Sequence, residues 1–347
     1  MTEPVAGRER FGRATFLRAA AAAGAWLSVG AAPGPSDTVT SQLLWIKNVE
    51  SAGLWLADAN GYFRDVNITA NVLAGGPGIA SVEAIVAAGR ADVGIDQIER
   101  IVDAVATGAD LVVLGAIFQQ TPAGLLSLPA HPIRTARDIV GKRIGLQQGA
   151  RVYIDGILSL NHLPRDFTEV VVGFDPQPLI EGACDAYLCF VTNQPLTLAA
   201  RGIPHVVVSF EQLGAPNYGE CLFCTRDYLR DHRDTLVRYL AALQRGWAEN
   251  ARDPVRAAHL ATATYGATLG LDESQQIAEN RAQIPLTRSA ATRAHGLLWI
   301  DRDRVRGPIY ATLRATGRSA LPDVDHFIDD SVLRDATALN RPYDVRT

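Results

Sequence analysis

The sequence predicts an α/β protein built from two units in series. Short runs of β-branched and apolar residues alternate with helical patterns from residue 42 to 210, in two sets of four strands. This alternation is typical of sheets covered by helices. Beyond residue 225 the pattern becomes helical. The chain has 347 residues, which is long for one compact core and suits two lobes.

The first unit contains four predicted strands joined by helices. Strands are predicted at 42–48, 67–73, 91–96 and 111–120, with helices at about 52–61, 79–88 and 97–107 between them. Because a helical segment joins each strand to the next, we expect a parallel sheet with helices on both faces.

A second set of strands and a helical tail follow. The strands are predicted at 142–148, 169–175, 185–190 and 205–210. In the tail, Leu236, Leu240, Leu243 and Trp247 form an apolar stripe at helical spacing, and Asp253 with Pro254 is typical of the start of another helix. These helices need a sheet to cover, so we expect the tail to return to the first lobe.

The first 35 residues resemble an export signal and linker. Four arginines at 8, 10, 13 and 18 precede an apolar run, Ala19 to Ala32, that is too short for a stable membrane anchor. The segment "GRATFLR" resembles the twin-arginine consensus but has Ala14 in place of the second arginine. We therefore expect a cleaved signal, of the twin-arginine or the general secretory type, and a periplasmic or other extracytoplasmic location.

Charge and motif content exclude several classes of function. The formal net charge is -4, and no basic run appears, so no nucleic-acid partner is expected. The seven histidines show no HExxH spacing, and no GxSxG is present. The sequence therefore predicts no metal site and no cofactor, and a small molecule or another protein as partner.

The cysteine pair in "YGECLFC", Tyr218 to Cys224, has the spacing of a redox or metal motif. If this segment is a strand, however, Cys221 and Cys224 point to opposite faces, about 10 Å apart, beyond the ~7 Å reach of a disulfide. Pairing of either with Cys184 or Cys189 stays open on spacing alone.

Two stretches of the first unit could bind a ligand through polar groups. "AGGPGIASVEAIVAAG", Ala74 to Gly89, places a glycine-rich turn before a helix, so it could bind a polar ligand edge or be a tight turn capped by Ser81. Asp96 ends a strand, with Glu99 three positions on. This pattern fits a capping box, and also a carboxylate at the ligand-binding edge of a parallel sheet.

Aromatic residues lie near several predicted strand ends. They are Trp45, Trp55, Phe118, Tyr153, Phe174 and Tyr187. Such residues can stack on a flat ligand or pack in the core, and the sequence leaves both open.

Several segments together resemble a known family. "GFDPQPLIEGACDAYLCFVTNQPLTLAARGI" (173–203), "NGYFRDVNITANVLAGGP", "AAGRADVGI" and "DIVGKRIGLQQG" resemble type II solute-binding proteins of ABC importers over about residues 41–260. The similar group binds sulfonates, nitrate, riboflavin and thiamine-pyrimidine precursors, and includes the eukaryotic thiamine-pyrimidine synthase.

The resemblance implies a type II periplasmic-binding-protein fold with two doubly wound lobes. Lobe one would be 41–123 plus 219–347 and lobe two 124–218, with hinge crossings near 121–124 and 218–221. The implied cleft residues are Trp45, Asn48, Ser51, Trp55, Asp96, Gln119, Gln120, Tyr153, Asp175, Tyr187, Asn193, Tyr218 and Glu220. Ser51 replaces a histidine of the family pattern.

The synthase alternative depends on two positions. The resemblance places the synthase's imine-forming lysine at Asp96 and its substrate histidine at Arg100. Aspartate cannot form an imine and arginine cannot supply an imidazole, so we expect no enzyme activity. "ECLFC" matches only part of the synthase's cysteine motif.

Taken with the export signal, the resemblance predicts a monomeric solute-binding protein that serves an ABC permease and its ATPase. Aromatic and carboxylate residues suit a small heterocycle, such as a pyrimidine, a thiamine precursor or a riboflavin-like compound. The alternatives are a sulfonate, nitrate or taurine binder, the synthase-like enzyme, and a sensor that uses the same fold.

Overall fold

A computed structural model describes residues 36–79 and 81–346. The predicted export signal and linker at 1–35 lie outside the described residues. No helix of the described part is both long and apolar enough to pass through a bilayer.

Ten strands form two sheets in the described part of the chain. They are β1 (Asp37–Leu43), β2 (Ile68–Leu73), β3 (Val93–Asp96), β4 (Leu111–Phe118), β5 (Ala123–Ser127), β6 (Arg143–Leu146), β7 (Thr168–Val171), β8 (Ala186–Phe190), β9 (Val206–Ser209) and β10 (Gly219–Thr225). The first sheet has the order β2-β1-β3-β10-β4 and the second β7-β6-β8-β5-β9. The α/β class and the two sheets in series are as predicted.

Both sheets are mixed, although the sequence predicted parallel sheets. β10 runs antiparallel to β3 and β4, and β5 runs antiparallel to β8 and β9. Each of these strands enters its sheet directly from the other sheet and not through a helical crossover, the connection that makes neighbouring strands parallel. The sequence analysis also did not predict β5.

The first strand lies earlier than its predicted range of 42–48. β1 pairs with β2 from Asp37 opposite Ile68 to Gln42 opposite Leu73. Beyond that point the backbone of Leu44 and Trp45 accepts hydrogen bonds from Gly76 and Gly75. The apolar run therefore continues into a loop, because its strand partner has ended.

The helices cover both sheets. They are α1 (Ala52–Ala59), α2 (Tyr62–Asp65), α3 (Val82–Ala87), α4 (Ile98–Ala106), α5 (Arg151–Leu160), α6 (Gln177–Ile180), α7 (Gln194–Ala200), α8 (Arg226–Asp231), α9 (Arg233–Arg252), α10 (Pro254–Leu260), α11 (Glu273–Gln283), α12 (Ala290–His295), α13 (Arg302–Arg304), α14 (Tyr310–Ala315), α15 (Val324–Phe327) and α16 (Ser331–Leu339). Short 3-10 helices occupy Val49–Ser51, Ala136–Ile139 and Ile284–Thr287, and π-helical turns occupy Ala261–Tyr265 and Val305–Ile309.

The helical tail packs on the first sheet, as predicted. The apolar stripe of α9 is buried in one core together with Trp55 and Leu222. The opposite face of the same sheet packs against α4, α14 and α15 in a second core. Asp253 accepts a hydrogen bond from the backbone N–H of Arg256 and Pro254 opens α10, which confirms the predicted helix start.

The chain passes between the sheets twice. Residues 119–122 lead from β4 to β5, and residues 210–218 lead from β9 to β10. The two segments lie side by side, because the backbone N–H of Thr121 donates to the carbonyl oxygen of Asn217 at 2.9 Å. The exact lobe boundaries stay a prediction.

Candidate functional site

Carboxylates from distant parts of the chain meet at one end of the first sheet. Asp96 is the last residue of β3, and the antiparallel register places Cys221 of β10 opposite it, with Glu220 next along the strand. The side chain of Asp96 is fully buried and that of Glu220 is 6% exposed. Strand pairing therefore buries two acidic groups near each other.

Asp96 has one oxygen bound and one oxygen free. Its Oδ1 accepts from the backbone N–H of Gln97 at 2.6 Å and lies 3.7 Å from Nε of Arg100, while Oδ2 is buried with no hydrogen-bond partner. Burial raises the pKa of Asp96 to about 8, and the charge of Glu83 adds to the effect. Arg100 opposes this shift only in part, because its side chain is 55% exposed.

Glu220 sits in an unusual backbone conformation. Its φ of 49° lies in the left-handed region, which is uncommon for a residue with a side chain. Burial, followed by the charges of Asp96 and Glu279, raises the pKa of Glu220 to about 8. Such strain is common in functional sites.

Glu279 on α11 brings a third carboxylate and links the two sheets. Its Oε2 accepts from Nδ2 of Asn193 at 3.1 Å and from Nε2 of Gln276 at 3.0 Å. Asn193 stands just before α7, which follows a strand of the second sheet. Oε1 of Glu279 is buried and has no hydrogen-bond partner. Burial raises the pKa of Glu279 to about 7.

Glu50 completes the group, which we call the acidic cluster: Glu50, Asp96, Glu220 and Glu279. Burial raises the pKa of Glu50 well above its usual value, and the charges of Glu220 and Glu279 raise it further. The four carboxyl groups come from a 3-10 helix, β3, β10 and α11. The arrangement offers hydrogen-bond acceptors to a ligand, and a ligand that brings donors or positive charge would favour the ionised carboxylates.

Glu99 forms a separate contact beside this cluster. Its carboxylate accepts from Nδ2 of Asn217 at 2.7 Å and from the hydroxyl of Tyr153 at 3.3 Å. The predicted capping box of Asp96 and Glu99 is therefore wrong: the N-cap of α4 is Gln97, and the Glu99 side chain instead binds Asn217, in a segment that joins the sheets, and Tyr153 of α5. Tyr153 is thus near the site, through Glu99.

The aromatic residues divide into two groups. Trp45 packs against Phe174 with ring centroids 5.1 Å apart and a tilt of 59°, so loops after β1 and β7 meet there. Trp55, in contrast, is buried, stacks on Tyr265 at 4.3 Å and donates from Nε1 to the Asn48 carbonyl. Tyr187 and Tyr218 are also buried, with their hydroxyls bound to backbone groups of Gly173 and Asp301.

Other predicted site residues have structural partners or lie apart. Asn48 accepts from the Glu50 N–H and caps the 3-10 helix, with Ser51 buried at its end. The side-chain N–H groups of Gln119 donate to the carbonyl oxygens of Ala116 and Trp299, and its Oε1 accepts from the hydroxyl of Ser289. Gln120 is exposed, and Asp175 is exposed and accepts from the backbone N–H of Gln177. Asn48 therefore lies beside Glu50 of the acidic cluster, whereas Gln119, Gln120 and Asp175 form no hydrogen bond with the cluster among the described residues.

The backbone of the glycine-rich turn after β2 packs closely against the backbone at the end of β1. The N–H of Gly75 donates to the Trp45 carbonyl at 2.8 Å, and a Cβ on Gly75 would lie 2.3 Å from the Leu43 oxygen. Ser81 accepts from the N–H of Ala84 and caps α3, as the turn interpretation predicted.

Sequence reasoning missed Glu50, Glu279 and Asn217. A signal for Glu279 was present, because Gln276, Glu279, Asn280 and Gln283 recur at helical spacing and form a buried polar face of α11. A helix that covers an ordinary core would have apolar residues there.

The four cysteines lie in the interior of the protein. All four cysteines are free and buried, and Cys221 and Cys224 belong to different cores on opposite faces of the sheet, as predicted for a strand. Within the described residues no three His, Cys, Asp or Glu side chains are grouped as metal ligands. Open cavities of about 380 and 530 Å³ lie elsewhere, beside Trp299 and beside Trp55.

The architecture is that of a periplasmic binding protein. The periplasmic sulfonate-binding protein SsuA of a sulfonate ABC transporter from Methylobacillus flagellatus aligns with a TM-score of 0.65 and 15% identity. The alignment covers 90% of this chain and 97% of that one. At this identity the likeness establishes the fold.

Two relatives in sequence are named 4-amino-5-hydroxymethyl-2-methylpyrimidine phosphate synthase. The protein from Schizosaccharomyces pombe is 25% identical over 235 residues, 62% of this chain and 68% of that one. The protein from Legionella pneumophila is 28% identical over 231 residues, 64% of this chain and 72% of that one. The NMT1/THI5 like family matches residues 48–257. The chain belongs to this family, and the predicted resemblance is confirmed.

Proposed function

We propose that this protein is the extracytoplasmic solute-binding component of an ABC importer and captures a small nitrogen heterocycle. The observation that carries the proposal is the acidic cluster at the junction of the two sheets. Its buried oxygens without a hydrogen-bond partner, Oδ2 of Asp96 and Oε1 of Glu279, act only as acceptors when the carboxyl groups are ionised, and a bound donor would favour that ionised form. A solute with N–H groups would supply the missing donors.

The charge of the cluster argues against a sulfonate or nitrate. An anion next to Glu50, Glu220 and Glu279 would be repelled by each of these carboxyl groups that is ionised, and their raised pKa values show that negative charge is already disfavoured there. Arg100 is the cation beside Asp96, and its side chain is largely exposed. The sulfonate-binding name of the structural neighbour supports that alternative, but the side chains of this chain favour a neutral or cationic heterocycle.

Trp45 and Phe174 are the proposed stacking surface. They belong to loops of different sheets, and their ring centroids lie 5.1 Å apart. A flat ring stacked against this pair would favour the form in which the two loops approach each other, so binding would stabilise closure.

The importer assignment rests on the fold and on the predicted export signal. The structural neighbour is named as part of an ABC transporter, and the resemblance of residues 1–35 to a signal is consistent with export. We propose that permease and ATPase subunits are its partners and that the protein acts as a monomer without a cofactor. Failure of a permease to bind the loaded protein would favour a sensor role.

The relatives' names support a second candidate, a pyrimidine synthase. Against it, Asp96 and Arg100 occupy the positions that the family resemblance gives to the imine-forming lysine and the substrate histidine. A carboxylate cannot form an imine with an aldehyde, so the covalent step has no nucleophile there. We therefore propose binding without catalysis.

A thermal-shift panel with the mature protein tests the proposal. We expect stabilisation by aminopyrimidines or flavins and none by sulfonates or nitrate. Stabilisation by sulfonates alone would contradict the heterocycle assignment. A covalent pyridoxal phosphate adduct, detected by mass spectrometry after reduction, would instead support the enzyme.

A further inference from the structure

Glu279 has two carboxylate oxygens with different surroundings. Oε2 is held by Asn193 and Gln276 at 3.1 and 3.0 Å, and Oε1 is fully buried and unpartnered. Glu279 lies beyond residues 48–257, the part of the chain matched by the family. Its position therefore cannot be inferred from the matched segment.

The polar face of α11 contains a second free acceptor. Gln283 is one helical turn from Glu279, and its Nε2 donates to the carbonyl oxygen of Val49 at 2.7 Å and to Oδ1 of Asn280 at 2.8 Å. Its Oε1 is buried without a partner. Buried polar atoms in proteins are nearly always satisfied, so two free acceptors on one helix face indicate a missing donor.

The charged groups that face Glu279 from β10 and from the 3-10 helix are acidic. Glu220 on β10 and Glu50 on the 3-10 helix lie within electrostatic range of it. The second sheet contributes Asn193, whose amide donates to Oε2. No ion pair to Glu279 occurs among the residues that the structure describes. An ionised buried carboxylate without a cationic partner is costly, so it takes up a proton unless a bound cation compensates its charge.

We propose that Glu279 recognises a cationic N–H group of the solute through Oε1 and couples its binding to approach of the two sheets through Oε2 and Asn193. This inference rests on the proposed function and narrows its solute class to heterocycles with a positively charged amine or amidine substituent. The neutral ring edge would face Asp96 and Glu220.

A matched ligand pair tests the charge preference. The probes are 4-amino-5-aminomethyl-2-methylpyrimidine and 4-amino-5-hydroxymethyl-2-methylpyrimidine, which differ in one substituent, a protonated amine or a hydroxyl. Because hydrogen bonds to charged groups are stronger than neutral ones, we expect the wild-type protein to bind the amine at least about tenfold more tightly by calorimetry.

The variant Glu279→Gln should remove this preference. Its amide oxygen can still accept from Asn193 and Gln276, and its NH₂ group then replaces Oε1 and donates where the wild type accepts. We expect affinity for the amine to fall about tenfold or more, with a smaller effect on the hydroxyl compound. Glu273→Gln is the matched control, since Glu273 lies on the same helix but is about half exposed and contacts His259.

A second variant separates recognition from closure. Asn193→Ala removes the donor to Oε2 but leaves Oε1 unchanged. We expect it to retain the preference for the amine and to reduce the ligand-induced decrease in radius of gyration measured by small-angle scattering. Circular dichroism establishes that each variant folds.

The outcomes distinguish the inference from the proposed function. If wild type binds neither pyrimidine nor any other heterocycle, the proposed function is wrong. If it binds both pyrimidines and Glu279→Gln leaves their affinity ratio unchanged, the heterocycle assignment stands and the role of Glu279 is refuted. An unchanged decrease in radius of gyration for Asn193→Ala refutes the coupling step alone.

Discussion

Asp96 and Glu220 belong to strands that are far apart in sequence and adjacent in the first sheet. Each was identified from the sequence as a candidate ligand contact. Their raised pKa values could not be predicted, because the pKa depends on burial and on the charges of Glu83 and Glu279, which come from other elements.

Asp96→Asn should weaken heterocycle binding and leave the fold intact. The amide replaces one acceptor oxygen by a donor, so we expect a loss of about 1.5–3 kcal/mol in binding free energy, measured by calorimetry. Asp110→Asn is the control, since Asp110 is exposed and pairs with Arg226 outside the acidic cluster. Equal affinity of Asp96→Asn and wild type would remove Asp96 from the site.

The four cysteines should be unreactive in the folded protein. All are buried, and burial raises the pKa of Cys224 to about 12, so little thiolate is present. We expect a chromogenic disulfide reagent at pH 8 to titrate none in the native state and four after denaturation. Reductant should not change the melting temperature; a decrease would indicate a disulfide and contradict the separation of Cys221 and Cys224.

At the scale of elements, the sequence predicted α9 and its buried face correctly. Its apolar stripe predicted the helix and its buried face, because helical periodicity is a local property. The structure adds a close crossing with α1, where Gly53 and Gly246 let the backbones approach.

Gly246→Ala should destabilise the protein through this crossing. A Cβ at 246 would lie 2.0 Å from the Gly53 carbonyl oxygen and 2.9 Å from Cβ of Ala57. We expect a loss of about 1–3 kcal/mol in the free energy of unfolding, measured by denaturant titration. Gly307→Ala, in a helical turn with no atom within 4 Å of its added Cβ, is the control and should be neutral or slightly stabilising.

For the whole molecule, the acidic cluster links stability to pH. Asp96 and Glu220 have pKa values of about 8 and Glu279 about 7, all above the ordinary carboxyl values of 3.8 and 4.5. The folded state therefore binds more protons than the unfolded state between those values. This contribution is complete below the unfolded pKa and is lost as the pH rises through the folded pKa.

The melting temperature of the ligand-free protein should consequently fall from pH 5 to pH 8. Carboxylates with a lowered pKa, such as Asp185, titrate below 3.8 and do not affect this window. The double variant Asp96→Asn, Glu220→Gln should flatten the decrease, as measured by scanning calorimetry. A melting temperature that rises over this range in wild type would contradict the buried cluster.

The sequence by itself determined the features that depend on neighbouring residues: the α/β alternation, the α9 stripe, the Asp253 cap and the opposite faces of Cys221 and Cys224. Tertiary structure alone decided the end of β1, the antiparallel insertion of β5 and β10, and the meeting of Glu50 and Glu279 with Asp96 and Glu220. The physical reason is that strand pairing, burial and electrostatic environment arise from contacts between segments that are distant from one another in the chain. Local periodicity contains no information about them.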